Sequence, residues 1–515
     1  MSTPAEGAGL PEAPAGEIEA PAEDSTIWQR VHPATPLINA WKALGVLVAI
    51  LAFNMMESIG ATLELVGSFP VLWVVLTVIG ALILVLLIAL GYSWLAWKRM
   101  RYAVGEDAVF HHQGILFRSQ RHARLNRIQG VDIVRPLLGR LVGLAVVNIE
   151  TAGGAKSNVR IQFLKDEEAE RLRAEVLARA AGLRGTSRPG AGPGTAPVFS
   201  QAPERQVYAL PLGDLLLSVL LSPAALSLLV LVLALMPVGV LGGDAGWAAF
   251  LGLIPAAIAA VGLFYSQFDS GFNFTLAVSP DGIRLRHGLL STQAQTLPPG
   301  RVQAVRLSQF ILWRFKDWWR VEVNVAGYGL DNKNNGTSSR TVIMPVGGRT
   351  DAVNTLWLVL HDLGVDDPDA VVEAALSGTL DDGGFLPSPP SARWVDPVVW
   401  RRNGLLITRT ALLMRRGRLT RTLTVVPHER TQSLAIRQGP WERRLGLADL
   451  RADSVPGPIS PLVPHLPAAT AGRVLFEQAA RARVARSKEG PEEWMRRVGV
   501  AEPEAEEATE PEAGP

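Results

Sequence analysis

The stretch "GILFRSQRHARLNRIQGVDIVRPLLGRLVGLAVVNIETAGG" at residues 114–154 decides the fold, because its spacing recurs twice further along the chain. Gly114 precedes Arg127 by 13 residues, Gln129 follows that Arg by two, and Arg140 follows it by 13. Three copies without a gap over 26 residues indicate one structural unit that is repeated. The matching positions are Gly288, Arg301, Gln303 and Arg314 in the second copy and Gly417, Arg430, Gln432 and Arg443 in the third.

The residues around these positions predict β-structure. Apolar and polar residues alternate in "AVFHHQGILFRS", "IRLRHGLLSTQAQTL" and "ALLMRRGRLTRTLTVV", with the shared Gly where a turn needs a positive φ. Gly- and Asn-rich hairpins follow in the first two copies. Each copy then ends in an amphipathic pattern that predicts a helix, at about 165–181, 350–364 and 468–486.

Long apolar runs predict membrane spans. Four runs reach the length of about 20 residues that a helix needs to cross a bilayer. We therefore expect a multi-pass membrane protein with two transmembrane hairpins, at 37–96 and 211–266. Residues 211–222 form either a short interfacial helix before Pro223 or an extension of the third span. The four predicted transmembrane α-helices are 37–56, 70–96, 224–242 and 246–266.

The charges that flank these runs predict the orientation. The segments inside each hairpin contain acidic residues but no Lys or Arg, whereas Lys98, Arg99 and Arg205 lie at the opposite ends. Positively charged flanks stay on the cytoplasmic side. We therefore expect a protein of the cell membrane with both termini and all three repeated domains in the cytoplasm.

The stretch 114–154, with weaker copies at 288–327 and 417–453, resembles the bacterial pleckstrin-homology-like (PH-like) membrane proteins of the YdbS/YdbT type. The longer, YdbT-like members have a similar layout with three such domains. The third copy departs most, because Thr431 replaces an aliphatic residue and a Pro-rich segment replaces the hairpin. The resemblance implies a bent seven-stranded antiparallel β-sandwich capped by its C-terminal helix, and it implies a YdbS-like PH-domain protein as a partner.

Composition divides the chain further. Residues 1–26 and 501–515 each hold six acidic residues and no Lys or Arg, so 36 acidic residues face 50 basic ones between them. Such tails bury too little apolar surface to fold, while a basic body suits an anionic surface. The predicted order is a disordered tail (1–30), hairpin 37–96, PH-like domain 99–182, linker 183–204, hairpin 211–266, PH-like domain 272–366, linker 377–393, PH-like domain 394–487 and a disordered tail (498–515).

Arginines are the candidate binding residues. The repeated Arg127, Arg301 and Arg430 either present guanidinium groups to phosphate or carboxylate, or fix a loop-to-strand junction together with the following Gln. The second interpretation is favoured, because all three copies keep the feature. Two basic clusters lie either against an anionic leaflet or on an ordinary solvated face. They contain Arg118, Arg121 and Arg124 in the first copy and Arg415 and Arg416 in the third.

Catalytic motifs are missing from the sequence. The eight His residues include no HExxH, and no GxSxG or Gly-rich phosphate loop occurs. We therefore predict no catalytic residue, no metal site, no cofactor and no nucleic-acid partner. The expected function is a membrane-anchored, non-enzymatic binding or scaffolding module for a protein partner, the anionic inner leaflet of the lipid bilayer, or both. The alternative is a transporter or an export-assisting membrane component.

Overall fold

A computed structural model gives the fold. It describes residues 28–36, 38, 71–105, 107–114, 118–151, 158–180, 204–243, 254–279, 282–297, 300–326, 341–360, 362–455 and 457–485. The predicted first span and both acidic tails lie outside these residues, apart from 28–30 and Ile38.

In this described part of the chain, each copy contains four strands, then three strands, then a closing helix. The first copy comprises β1 (Gln29–Arg30), α1 (Val71–Arg99), β2 (Arg101–Val104), β3 (Ala108–Gln113), β4 (Ser119–Arg124), β5 (Ile128–Pro136), α2 (Leu137–Leu141), β6 (Leu144–Thr151), β7 (Val159–Lys165) and α3 (Asp166–Ala180).

The second copy repeats this order, and three helices follow its first strand within the residues that the structure describes. It comprises β8 (Arg205–Ala209), α4 (Leu212–Leu220), α5 (Pro223–Leu241), α6 (Ile254–Gly271), β9 (Thr275–Ser279), β10 (Gly282–His287), β11 (Ser291–Leu297), β12 (Val302–Phe310), a 3-10 helix (Ile311–Lys316), β13 (Trp318–Val325), β14 (Val342–Gly348), α7 (Arg349–Val359) and α8 (Pro368–Leu376).

In the third copy, residues 388–403 take the place of these helices, and they include a 3-10 helix (Pro390–Trp394). It comprises β15 (Leu386–Pro387), β16 (Gly404–Ile407), β17 (Ala411–Arg416), β18 (Thr420–Pro427), β19 (Ser433–Arg437), α9 (Pro440–Arg444), β20 (Leu447–Asp453), β21 (Leu462–Pro467) and α10 (Ala468–Ala485). The predicted linker 377–393 therefore includes a strand. Three seven-stranded antiparallel units with closing helices confirm the predicted PH-like repeats.

Two of the β-sheets extend across the boundary between one copy and the next. The three-stranded sheet of the first copy continues into the four-stranded sheet of the second, because β5 pairs with β11. In the same way β12 of the second copy pairs with β18 of the third. We call these pairings the first joint and the second joint. Each joint makes one seven-stranded sheet from two copies.

Both joints have the same register. Positions are counted here from the first repeated Arg of each copy (Arg127, Arg301 and Arg430). The residue six positions after this Arg pairs with the residue seven positions before the first repeated Arg of the next copy. Ile133 thus pairs with Ala294, and Leu307 pairs with Leu423. The cores also cross the joints, since buried Ala294 packs within the core of the first copy and buried Ala304 within that of the third. The copies are therefore joined through backbone pairing and shared packing.

The prediction of four transmembrane helices in two hairpins is wrong. Within the residues that the structure describes, no single helix is long and apolar enough to cross a membrane, and one bent pair of helices passes only when its halves are taken together. That pair, Leu212–Leu220 and Pro223–Ala234, is bent by 41°. The bend lies where the ring of Pro223 begins a new helix. An apolar run in the sequence is therefore not the same as one straight helix.

The glycines shared by the repeats lie in turns, as predicted. Gly114, Gly288 and Gly417 have φ values of 101°, 114° and 87°. A Cβ atom on Gly417 would lie 1.9 Å from the carbonyl oxygen of Thr420, and one on Gly288 would lie 2.0 Å from that of Ser291. Both the backbone angle and the space therefore require glycine at these positions.

Replacing Gly417 by Ala tests this requirement. We expect Gly417→Ala to lower the free energy of unfolding by about 2 kcal/mol or more, because of the positive φ and the clash. Gly472→Ala in α10 is the control, because a Cβ there meets nothing within 4 Å, and helix propensity should make it neutral or stabilising by about 0.5–1 kcal/mol. Denaturant unfolding in mild detergent measures both, and equal shifts would contradict the assignment.

Candidate functional site

The second repeated Arg donates hydrogen bonds across each joint. The Nη1 atom of Arg140 donates hydrogen bonds to the carbonyl oxygen of Leu289 and to Oγ1 of Thr292, both at 3.2 Å. At the second joint, Arg314 donates to the carbonyl oxygen of Arg418. Leu289 and Arg418 are the residues that follow the shared Gly of the next copy. This repeated Arg therefore contacts the neighbouring copy rather than its own.

An exposed apolar side chain follows this Arg at both joints. Leu141 is 77% exposed and Phe315 is 85% exposed. Leu290 and Leu419, one residue beyond the two carbonyl groups just described, are exposed as well. Each joint thus presents exposed apolar side chains next to an arginine.

The second joint also concentrates positive charge. Burial lowers the pKa of Arg314, and the neighbouring charges of Arg421 and Arg418 lower it further. Lys316 lies at the end of the same 3-10 helix as Phe315. Arg421 and Arg418 are therefore close enough to Arg314 to repel its charge, and a nearby anion would offset that repulsion.

The loop that carries Phe315 packs against apolar helices. Nε1 of Trp313 donates to the carbonyl oxygen of Ser218 in α4 at 3.2 Å. Phe310, just before the loop, lines an apolar groove with Leu226 and Val230 of α5. On α4 itself, Leu216 and Leu220 are exposed. Beside these helices lies the surface formed by Arg314, Phe315, Lys316, Arg418 and Leu419. We call it the second-joint loop surface.

The predicted basic cluster of the first copy lies on and beside strand β4. Arg118 and Arg127 are exposed, and Arg124 is partly buried. Arg121 donates from Nη1 to the carbonyl oxygen of Asn158 at 3.0 Å. The structure therefore places these arginines along the outer edge of the first copy, and their predicted role in binding stays a prediction.

The first repeated Arg and Gln lie at the start of the fifth strand. The backbone carbonyl of Arg301 accepts from Nε2 of Gln303 at 3.3 Å and from the amide of Ala326 at 3.0 Å. Arg430 lies 3.9 Å from Glu429, and Gln432 is exposed. In the second copy, the Arg–Gln element thus ties a loop to a strand through the backbone, as in the structural interpretation.

The structure places Arg415 in the interior rather than on a basic surface. Its guanidinium donates to the carbonyl oxygens of Ala374 at 2.7 Å and Leu380 at 2.6 Å, and it lies 4.4 Å from the ring centre of Phe385. Arg402 donates to the carbonyl of Leu376 at 2.6 Å. Both cations therefore cap the C-terminal end of α8, where the helix dipole favours positive charge.

Burial lowers the pKa of Arg415 to about 10 and that of Arg402 to about 9. Both guanidinium groups still carry a positive charge at neutral pH, so their role as helix caps holds. Arg416, the next residue of β17, lies on the opposite face of the strand. It is only partly buried, and burial lowers its pKa as well.

Leu141 and Leu419 were not identified from the sequence as surface residues. Phe315 is exposed although the nearby Trp313, Trp318 and Trp319 are all buried. The available signal was the large apolar residue directly after the second repeated Arg in the first two copies. Among the described residues, no group of three or more His, Asp or Glu side chains could hold a metal ion.

Three linked units of four plus three strands, each with a closing helix, define a protein of repeated PH-type domains. The sequence model of the family "Bacterial PH domain" matches residues 58–180, 216–347 and 386–482. Because these stretches make up more than half of the 515 residues, the chain belongs to the bacterial PH domain family.

A relative with a similar sequence is the UPF0699 transmembrane protein YdbT of Bacillus subtilis (strain 168). It is 30% identical over 106 residues, which are 19% of this chain and 22% of the relative. The match thus spans less than a quarter of that relative. The predicted resemblance to YdbT-like proteins is confirmed. No solved structure matches the chain.

The buried position of Arg415 can be tested by substitution. We expect Arg415→Met to lower the free energy of unfolding by about 2–4 kcal/mol, because the carbonyl groups of Ala374 and Leu380 lose a charged donor. Arg418→Met should stay within about 0.5 kcal/mol, since that side chain is exposed. Denaturant unfolding of both variants decides, and an equal loss would show that burial does not distinguish them.

Proposed function

We propose that this chain is a non-enzymatic, membrane-associated binding and scaffolding protein whose second-joint loop surface contacts anionic lipid. Its repeated PH-type domains support a binding or scaffolding role. The observation that carries the lipid assignment is the exposure of Phe315 between Arg314 and Lys316, beside the exposed Leu419 and Arg418.

The chemistry of this surface matches a bilayer interface. An aromatic ring at the interface places its apolar body among acyl chains, while neighbouring cations stay at the phosphate level. Each Lys or Arg close to an anionic leaflet contributes about 1 kcal/mol. Leu141 beside Arg140 repeats the arrangement at the first joint, although with fewer cations.

Membrane association is further supported by the relative, whose name describes a transmembrane protein. The exposed leucines of α4 beside the second-joint loop surface also favour contact with lipid. We propose the cytoplasmic leaflet as the target, because it is the anionic one and the chain between the tails is basic. The transporter alternative required four helices around a path, and the described helices do not support that arrangement.

The proposal is tested with a single fluorescent label. The chain has no cysteine, so Phe315→Cys gives one site for an environment-sensitive dye in the full-length protein. Reconstituted into phosphatidylcholine vesicles with phosphatidylglycerol, this label should shift to the blue and be quenched by lipid-attached quenchers. Phe476→Cys on α10 is the matched control, because Phe476 is also an exposed phenylalanine, at 76%, but lies on the closing helix of the third copy.

The charge requirement is tested separately. We expect Lys316→Gln and Arg418→Gln each to weaken the phosphatidylglycerol-dependent part of the signal about fivefold, as the loss of about 1 kcal/mol implies. Salt should have the same effect. If the labels at positions 315 and 476 are equally exposed to water with both lipid compositions, the lipid-contact proposal is wrong.

A further inference from the structure

Two strand edges at opposite ends of the protein are equivalent to the edges that form its joints. Strand β19 occupies the place in the third copy that β5 and β12 occupy in theirs. Strand β4 occupies the place in the first copy that β11 and β18 occupy in the next two. In the described part of the chain, no strand pairs with the outer side of β4 or of β19. The chain thus carries both halves of one more joint.

The side chains on these two edges are more exposed than their equivalents within the joints. Ile133 and Leu307 are fully buried where the joints form, whereas the equivalent Ile436 is 37% exposed. Across the joints, Ala294 and Leu423 are buried, whereas the equivalent Gln120 is exposed. An isoleucine on an open sheet edge favours pairing with another strand.

We propose that β19 of one chain pairs with β4 of a second copy of this chain in the register of the two internal joints. Ile436 then lies opposite Gln120, and Leu434 lies opposite His122. A second copy fits because the required partner edge is already present at its other end. This intermolecular joint goes beyond the proposed lipid contact and does not depend on it.

The second repeated Arg of the third copy also supports this arrangement. Arg443 is the equivalent of Arg140 and Arg314, which donate across the joints. It is exposed, and its side chain makes no hydrogen bond or ion pair with other described residues. In the proposed assembly, it faces the first copy of the second chain as its equivalents face their neighbours.

Charge disfavours the symmetric pairing of two β4 edges. Strand β4 carries Arg121 and Arg124, so pairing two β4 edges would bring four guanidinium groups together. Strand β19 carries only Arg437, at its end. Pairing of unlike edges leaves one free edge on each outer chain, so the assembly continues to a closed ring or an open filament.

Disulfide trapping tests the register. Full-length Ile436→Cys and Gln120→Cys are purified separately in mild detergent, mixed and oxidised. Directly opposite residues in an antiparallel pair have Cα atoms about 4.5–5.5 Å apart, which suits a disulfide bond. We therefore expect a linked pair of the two unlike variants. Ile436→Cys mixed with Arg124→Cys is the control, because this position is four residues out of register, about 13 Å away, and should link at least about tenfold less.

Light scattering over a range of protein concentrations tests the association itself. We expect masses above that of one chain, and Ile436→Lys should weaken self-association about tenfold or more by placing a charge in the joint. Phe476→Lys is the control, since it changes an exposed apolar residue that belongs to the helix α10 and to neither edge strand, and it should leave the mass unchanged.

Three results would overturn the proposal. The first is the mass of one chain at every concentration together with no unlike linkage. The second is linkage only between like variants, which would indicate symmetric pairing. The third is assembly that occurs only when a different PH-domain protein is added, which would identify that protein as the occupant of the edge.

Discussion

Antiparallel pairing between the fifth strand of one copy and the fourth strand of the next is the constraint on which the rest of the structure depends. A PH-type sandwich of four plus three strands leaves a strand edge open, and open edges expose unpaired backbone groups. Here β5 and β12 find partners in the following copy. Ala294 and Ala304 then pack into neighbouring cores, so the joint contributes both hydrogen bonds and buried apolar surface.

The repeat, its strands and its glycine turns could be predicted because they are patterns within one copy. Gly417 illustrates this, since its position between two alternating segments implied the turn. The joints could not be predicted, because the partner of Arg140 is a backbone carbonyl 149 residues away, and a carbonyl group leaves no trace in the sequence. The first strands were also missed, since Gln29–Arg30 and Leu386–Pro387 are too short to show a period of two.

The candidate surface shows the same limit. A run of arginines indicates charge but not direction: Arg415 turns inward to cap α8, whereas its neighbour Arg416 does not. The tryptophans near Phe315 fill the core, and the phenylalanine between them remains outside. Apolar length likewise overestimated the membrane spans. The sequence left open whether residues 211–222 extend the third span, and the structure bends the chain by 41° between Leu212–Leu220 and Pro223–Ala234.

The long sequence separation of the joints has a consequence for folding during synthesis. Arg140 and Leu289 are 149 residues apart, and Arg314 and Arg418 are 104 apart. The ribosome therefore completes the first copy well before the strand that covers its open edge exists. Contacts between distant residues form late, and an uncovered edge invites pairing with another nascent chain. Until the covering strand has been made, the open edge of each new copy is therefore exposed to pairing with a wrong strand.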